Sequence, residues 1–145
     1  MAGNSLTKTD HNHNRGTVFA LAYKRAQRAL GAGFYLETIV ICDSLLTDRL
    51  RLILLSNHEA AADRATTGSI VNFLLSQKVI AFDASLWDDI MDWSRMRNTQ
   101  AHEMGKISGD TLVPWRTRLT QAKKVAEAGF SLVNRVSKEA RRHRL

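Results

Sequence analysis

The chain is short of the residues that staple, interrupt or anchor a fold. One cysteine, Cys42, stands among 145 residues, which excludes an internal disulfide framework and suits a reducing compartment such as the cytoplasm. A single proline, Pro114, leaves long stretches without the residue that breaks helices. No apolar run approaches the roughly 18 residues needed to span a membrane. The opening "MAGNSLTKTDHNHNRG" carries no hydrophobic segment of the secretory kind, so no membrane association is expected. Strand-like alternation is nearly absent, and no cluster with metal-ligand spacing stands out, so neither metal nor cofactor is expected. Acidic residues are outnumbered: 14 Asp and Glu against 21 Lys and Arg leave a net charge of +7. That excess favours a polyanionic partner, most simply nucleic acid.

What remains is the material of one helical domain. A length of 145 residues with 44% hydrophobic and 24% charged residues is enough to bury a core of ordinary composition. Residues 1–16 read as a flexible polar tail and residues 17–145 as the domain. Thr17 caps a first helix through "VFALAYKRAQRAL", which Gly31 and Gly33 stop. Residues 34–55, "FYLETIVICDSLLTDRLRLILL", are apolar nearly all round. Such a helix needs partners on every side, which places it at the centre of a bundle. After the polar connection "SNHEAAADRATTGS", the run "IVNFLLSQKVIAF" makes a third, shorter helix. A fourth opens at "SLWDD", where Ser85 and Asp88 have the spacing of a capping box. The stretch "GKISGDTLV" breaks it, and Pro114 starts a last helix that runs to about residue 140. Trp115, Leu119, Ala122, Ala126 and Val133 keep helical spacing along that helix. The expectation is an all-α, up-and-down bundle of four long helices plus one shorter helix.

The fourth helix holds the residues that suggest chemistry. At about 100° per residue, Leu86, Ile90, Trp93, Arg97 and Ala101 share one stripe, and Trp87 and Met91 widen it over Asn98. Arg97 therefore points where a leucine would be expected. A guanidinium does not lose its proton, so an inward one must find anions or strong acceptors. His102 lies at the edge of the same arc, just before the helix ends, which describes a polar pocket at one end of a bundle. A similar Arg51…His58 spacing lacks this setting, because His58 falls in the polar connection. A plainer account is also open: Arg97 paired with an acid of the central helix, and His102 capping carbonyls.

At Arg97-Asn98-Thr99-Gln100-Ala101-His102 the chain resembles the HEPN superfamily of all-α domains. Its signature is an arginine, usually followed by a polar residue, and four to six positions later a histidine near a helix end. The resemblance covers about residues 17–140. It implies a metal-independent endoribonuclease, often a toxin or an antiviral effector, with a cleft between two protomers that each supply an Arg and a His. It also implies an acidic residue on an earlier helix facing the motif. Glu37 is the best match, and Asp43 and Asp48 are further candidates. One toxin branch, paired with antitoxins, carries a tyrosine two residues past the histidine, and this chain departs from it with Met104. An antitoxin or other regulatory partner protein is still among the implied partners. Arg95 competes with Arg97, being angularly closer to His102, whereas Arg97 has the inward stripe and the following asparagine.

These residue types suit phosphodiester cleavage. RNA supplies its own nucleophile, the 2′-hydroxyl. Histidine moves protons near neutral pH because its unperturbed pKa is about 6.5. Arginine grips phosphoryl oxygens with a planar fork. Asn98 and Glu37 would orient these groups or hold an oxygen. One histidine cannot be both base and acid on opposite sides of one phosphate, and a two-fold homodimer removes that difficulty. Arg95, Lys106, Arg116 and Arg118 are candidates to follow the RNA backbone, and a single strand is the expected substrate because A-form duplex restrains in-line attack. Other signals read as structure. "HNHN" at residues 11–14 belongs to the polar tail, "KEARRHRL" is a basic helix end, Cys42 is a small core residue, and Trp87, Trp93 and Trp115 are core or interface anchors.

Overall fold

A computed structural model describes residues 8–57, 84–103 and 114–142. All the regular structure among them is α-helical: α1 (Lys8–Ala32), α2 (Tyr35–Asn57), α3 (Ala84–Glu103) and α4 (Trp115–Arg142). The all-α expectation holds for the described residues. The shorter helix expected near residues 70–82 lies outside them.

Helix α1 begins at Lys8, well before the cap expected at Thr17, so residues 8–16 are helix rather than tail. No proline interrupts them, and Arg15 is tied to α2 by Nε to Asp48 Oδ1 at 2.6 Å and Nη2 to the Asp48 carbonyl at 3.2 Å. The other end matches its glycine. Gly33 has φ of 83°, a left-handed conformation that suits glycine. Its N–H reaches the Leu30 carbonyl at 3.2 Å, and the Phe34 N–H reaches the Ala29 carbonyl at 2.9 Å. That pair of bonds is a Schellman motif, which satisfies the last carbonyls of α1 and turns the chain into α2. The hairpin is antiparallel: Arg15 pairs with Asp48 and Arg25 with Glu37, so numbering rises on α1 as it falls on α2.

Helix α2 supplies the middle of the core with Ile39, Cys42, Leu45, Leu46, Leu50 and Ile53, all buried. It packs chiefly on α4 and α1. Pro114 stands just before α4, and its carbonyl accepts the Arg118 N–H at 3.1 Å. From there α4 lays one inward stripe, Arg118, Ala122, Val125, Ala126, Gly129, Leu132, Val133, Val136 and Ala140. Trp115 is not part of it: it is 61% exposed. Tyr23 of α1 closes the α1–α4 edge, with its ring 4.7 Å from that of Phe130 and its hydroxyl 2.9 Å from Asn134 Oδ1.

Helix α3 is held to α4 by one close fit. Trp93 is fully buried, and its indole N–H donates to the Val125 carbonyl at 2.8 Å. Its ring lies where a side chain on Gly129 would be: a β-carbon there would come within 2.6 Å of Trp93 Cζ2. Glycine in mid-helix costs roughly 0.5–1 kcal/mol relative to alanine, and here the indole occupies the space gained. Asp89 and Arg135, 2.7 Å apart and half-exposed, add an ion pair along the same edge; pairs so open contribute at most about 1 kcal/mol.

Two glycine substitutions should therefore have opposite signs. Gly129→Ala overpacks the Trp93 contact and should lower unfolding free energy by about 1–3 kcal/mol. Gly31→Ala, inside α1 with nothing within 4 Å of the added carbon, should raise it by up to about 1 kcal/mol. Urea denaturation of the two variants beside the parent chain measures both.

Candidate functional site

The close fit of Trp93 decides where the next turn of α3 points. Arg97 follows four positions later, on the buried stripe of Leu86, Ile90 and Trp93. The guanidinium reaches across to α2, where Arg97 Nη1 meets Asp43 Oδ2 at 2.9 Å. Both side chains are about three-quarters buried, with relative exposures of 25% and 26%. Arg97 Nε is buried and has no hydrogen-bond partner among the described residues. Three positions earlier, the buried Ser94 Oγ is in the same condition. The C-terminal half of α3 thus carries a cation clamped on one side and buried donors without a partner among the described residues. Buried donors left unmet cost about 1–3 kcal/mol each, so a ligand acceptor or water would be favoured there.

The carboxylate facing the motif is Asp43, not Glu37. Glu37 Oε1 is bonded to Arg25 Nε of α1 at 2.7 Å and is partly exposed. The two acids are six positions apart on α2, about 240° around the helix, so one cannot face α3 when the other does. Asp48, the third candidate, belongs to Arg15. Arg95 is exposed and bonded to Asp92 on its own helix at 3.0 Å, which leaves Arg97 as the inward arginine of the two. Asn98 and Arg116 are exposed. Arg118 is 8% exposed: it opens the inward stripe of α4 and is engaged there, so it is not on the surface where a backbone-tracking cation was expected. His102 lies in the last turn of α3, and its side chain is outside the described part of the structure, as is Lys106.

The thiol beside Asp43 takes no part. Burial, with a smaller contribution from the Asp43 charge, pushes Cys42 up from 9.0 to about 12. It is fully enclosed in the core, so it is neither a nucleophile nor a ligand at neutral pH. Arg116 and Trp115 are both exposed at the start of α4, an aromatic and a cation side by side.

Comparison with protein-family models, with curated proteins and with solved structures finds no match to this chain. Among the described residues, no helix is long and apolar enough to cross a membrane.

Two measurements check this geometry. Asp43→Asn leaves Arg97 without its counter-charge and should cost ~1–3 kcal/mol, between the values for exposed and fully buried pairs. Adding Arg97→Met should recover part of that loss, so that a double-mutant cycle reads a coupling above about 0.5 kcal/mol. Iodoacetamide at pH 8 should leave Cys42 unmodified in the native protein and alkylate it fully in urea. As pH rises past 9.0, the unfolded thiol loses its proton while the native one keeps it. The native state then holds the extra proton, so the stability this group contributes falls on the alkaline side.

Proposed function

We propose that this protein is a metal-independent endoribonuclease of the HEPN kind, cleaving single-stranded RNA by attack of the ribose 2′-hydroxyl. The observation that supports it best is the setting of Arg97: drawn onto the core stripe, oriented by Asp43, with a buried donor that has no partner among the described residues, five positions before a histidine at the helix end. In this reading Arg97 holds the phosphoryl oxygens and neutralises charge growing on them. Asp43 is a positioning residue that aims the guanidinium, the part first assigned to Glu37. His102 moves the proton, as base on the 2′-hydroxyl or as acid on the departing 5′-oxygen. Asn98 lies one turn before it and supplies an amide to the substrate or to the imidazole. The net charge of +7 draws the polyanion in, with exposed Arg95 and Arg116 and with Lys106 along its path.

Five positions turn an α-helix by about 500°, which leaves Arg97 and His102 about 140° apart. A homodimer lets the arginine of one protomer and the histidine of the other address one phosphate. The surface beside the site is suited to that. Leu36, Val40 and Asp43 follow at i, i+4 and i+7 on one face of α2, and the first two are apolar yet 39% and 61% exposed. A biological role as toxin or defence effector, with a regulatory protein partner in the cytoplasm, follows from the same resemblance.

A second reading has its own support. The Arg97–Asp43 pair at 2.9 Å is by itself a sufficient structural reason for an inward arginine, and in that case the bundle is a non-catalytic binding or assembly module. Incubating the protein with labelled single-stranded RNA in EDTA separates the two. The nuclease should cut, and His102→Ala should lower the rate by about 10²–10⁴-fold, the usual worth of a general acid–base group, with an unchanged melting temperature. Cleavage that persists in His102→Ala, or RNA that stays intact with the parent chain, would favour the module.

A further inference from the structure

A second polar site lies elsewhere on the bundle, where α1, α2 and the end of α4 meet. A cavity of about 90 Å³ there is lined by Phe19, Arg49, Ser137, Ala140 and Arg141. That is room for a group several times larger than one water, whose share of liquid volume is about 30 Å³. Its walls are unusually well supplied with positive charge. The Arg49 Cζ stands over the Phe19 ring, 3.5 Å from the centroid, a cation–π contact that restrains its guanidinium. Asp48 is the acid at hand, and Arg15 Nε already holds it at 2.6 Å while Arg49 Nη1 stands 3.9 Å away. Arg141 forms no ion pair among the described residues; Glu139 on the same turn is bonded to Arg142 at 3.2 Å. Two guanidiniums, Arg49 and Arg141, thus line the cavity, and no carboxylate is among its lining residues. Ser137 Oγ is buried and has no hydrogen-bond partner among the described residues.

We propose that this cavity is an anion site built for a phosphoryl group. Ser137, Ala140 and Arg141 follow at i, i+3 and i+4, so the hydroxyl and the guanidinium of α4 rise on one face over the cavity. Arg49 supplies the opposite wall as a preset planar fork, which matches two oxygens of a tetrahedral oxyanion. The Ser137 hydroxyl, without a partner among the described residues, gains an acceptor. The last carbonyls of α4 oppose an anion, and Arg141 and Arg142 in the final turn offset them. The site lies away from the Arg97–Asp43 pair and does not depend on the nuclease reading. The phosphoryl group belongs either to a small phosphorylated ligand or to an RNA backbone.

Isothermal titration of the full chain with inorganic phosphate, against chloride at equal ionic strength, tests the site. Saturable binding should appear, weaken at least tenfold in Arg141→Gln and several-fold in Ser137→Ala, and be unchanged in Arg25→Gln, which removes an exposed guanidinium that does not line the cavity. Both variants at the site alter the end of α4 or one hydroxyl, and their melting temperatures serve as the folding check. Absence of saturable binding overturns the proposal. So does binding that Arg141→Gln leaves intact, because the anion would then sit elsewhere on the protein. A parallel measurement of RNA affinity in His102→Ala with and without Arg141→Gln assigns the source. Weaker RNA binding points to a polynucleotide, and unchanged RNA binding to a small phosphorylated ligand.

Discussion

The contact between Trp93 and Gly129 sets the position of everything on α3. A large ring occupies the space that only glycine leaves open, and its N–H is fixed to the Val125 carbonyl at 2.8 Å. Helix α3 can neither rotate nor slide along α4 without losing that fit, since packed interiors resist small displacements. Arg97 lies one turn further on, and the same constraint swings it against Asp43 of α2. A core contact with no chemistry of its own therefore aims the cation that the proposed reaction uses. The energetic logic is one of compensation: an inward guanidinium is costly to desolvate, and a carboxylate at 2.9 Å offsets part of that cost. Arg97 Nε, without a partner among the described residues, is the donor that the proposed reaction would use.

Much of this arrangement was legible in the residues. Helical periodicity alone puts Arg97 on the stripe of Leu86, Ile90 and Trp93, and the all-round apolar character of residues 34–55 marks the central helix. Gly33 could be read as a helix stop because a left-handed residue there needs glycine. Other features depend on how helices meet and leave no local trace. Glu37, Asp43 and Asp48 are equivalent acids on one helix until the rotation of α2 against α3 is known; that rotation gives Asp43 to Arg97 and sends the others to α1. The early start of α1 was hidden by a polar stretch that reads as tail, and its tie to α2 is a tertiary ion pair. Gly129 in mid-helix looks like a local cost until the Trp93 ring is placed beside it. Arg118 and Trp115 exchange their expected places, the charge going in and the indole out, because the inward stripe of α4 starts at position 118.

The two polar sites share one design. Each places an arginine whose geometry is fixed from behind, by a carboxylate for Arg97 and by an aromatic ring for Arg49. Each also has a buried donor without a partner among the described residues. A guanidinium held in this way loses little freedom when it meets an oxyanion, which is the usual route to tight and directional phosphate recognition. In the proposed reaction the high net charge would serve approach rather than specificity, since long-range attraction is screened by salt within about 10 Å while the arginine forks act at contact.

The central claim is that the ribose hydroxyl attacks a phosphodiester held by Arg97 while His102 moves the proton. Determining the chemical ends of RNA cut by the purified protein tests it most directly. A 2′,3′-cyclic phosphate upstream and a 5′-hydroxyl downstream is the result this mechanism requires. A 3′-hydroxyl with a 5′-phosphate would contradict it, because water rather than the 2′-oxygen would then have been the nucleophile.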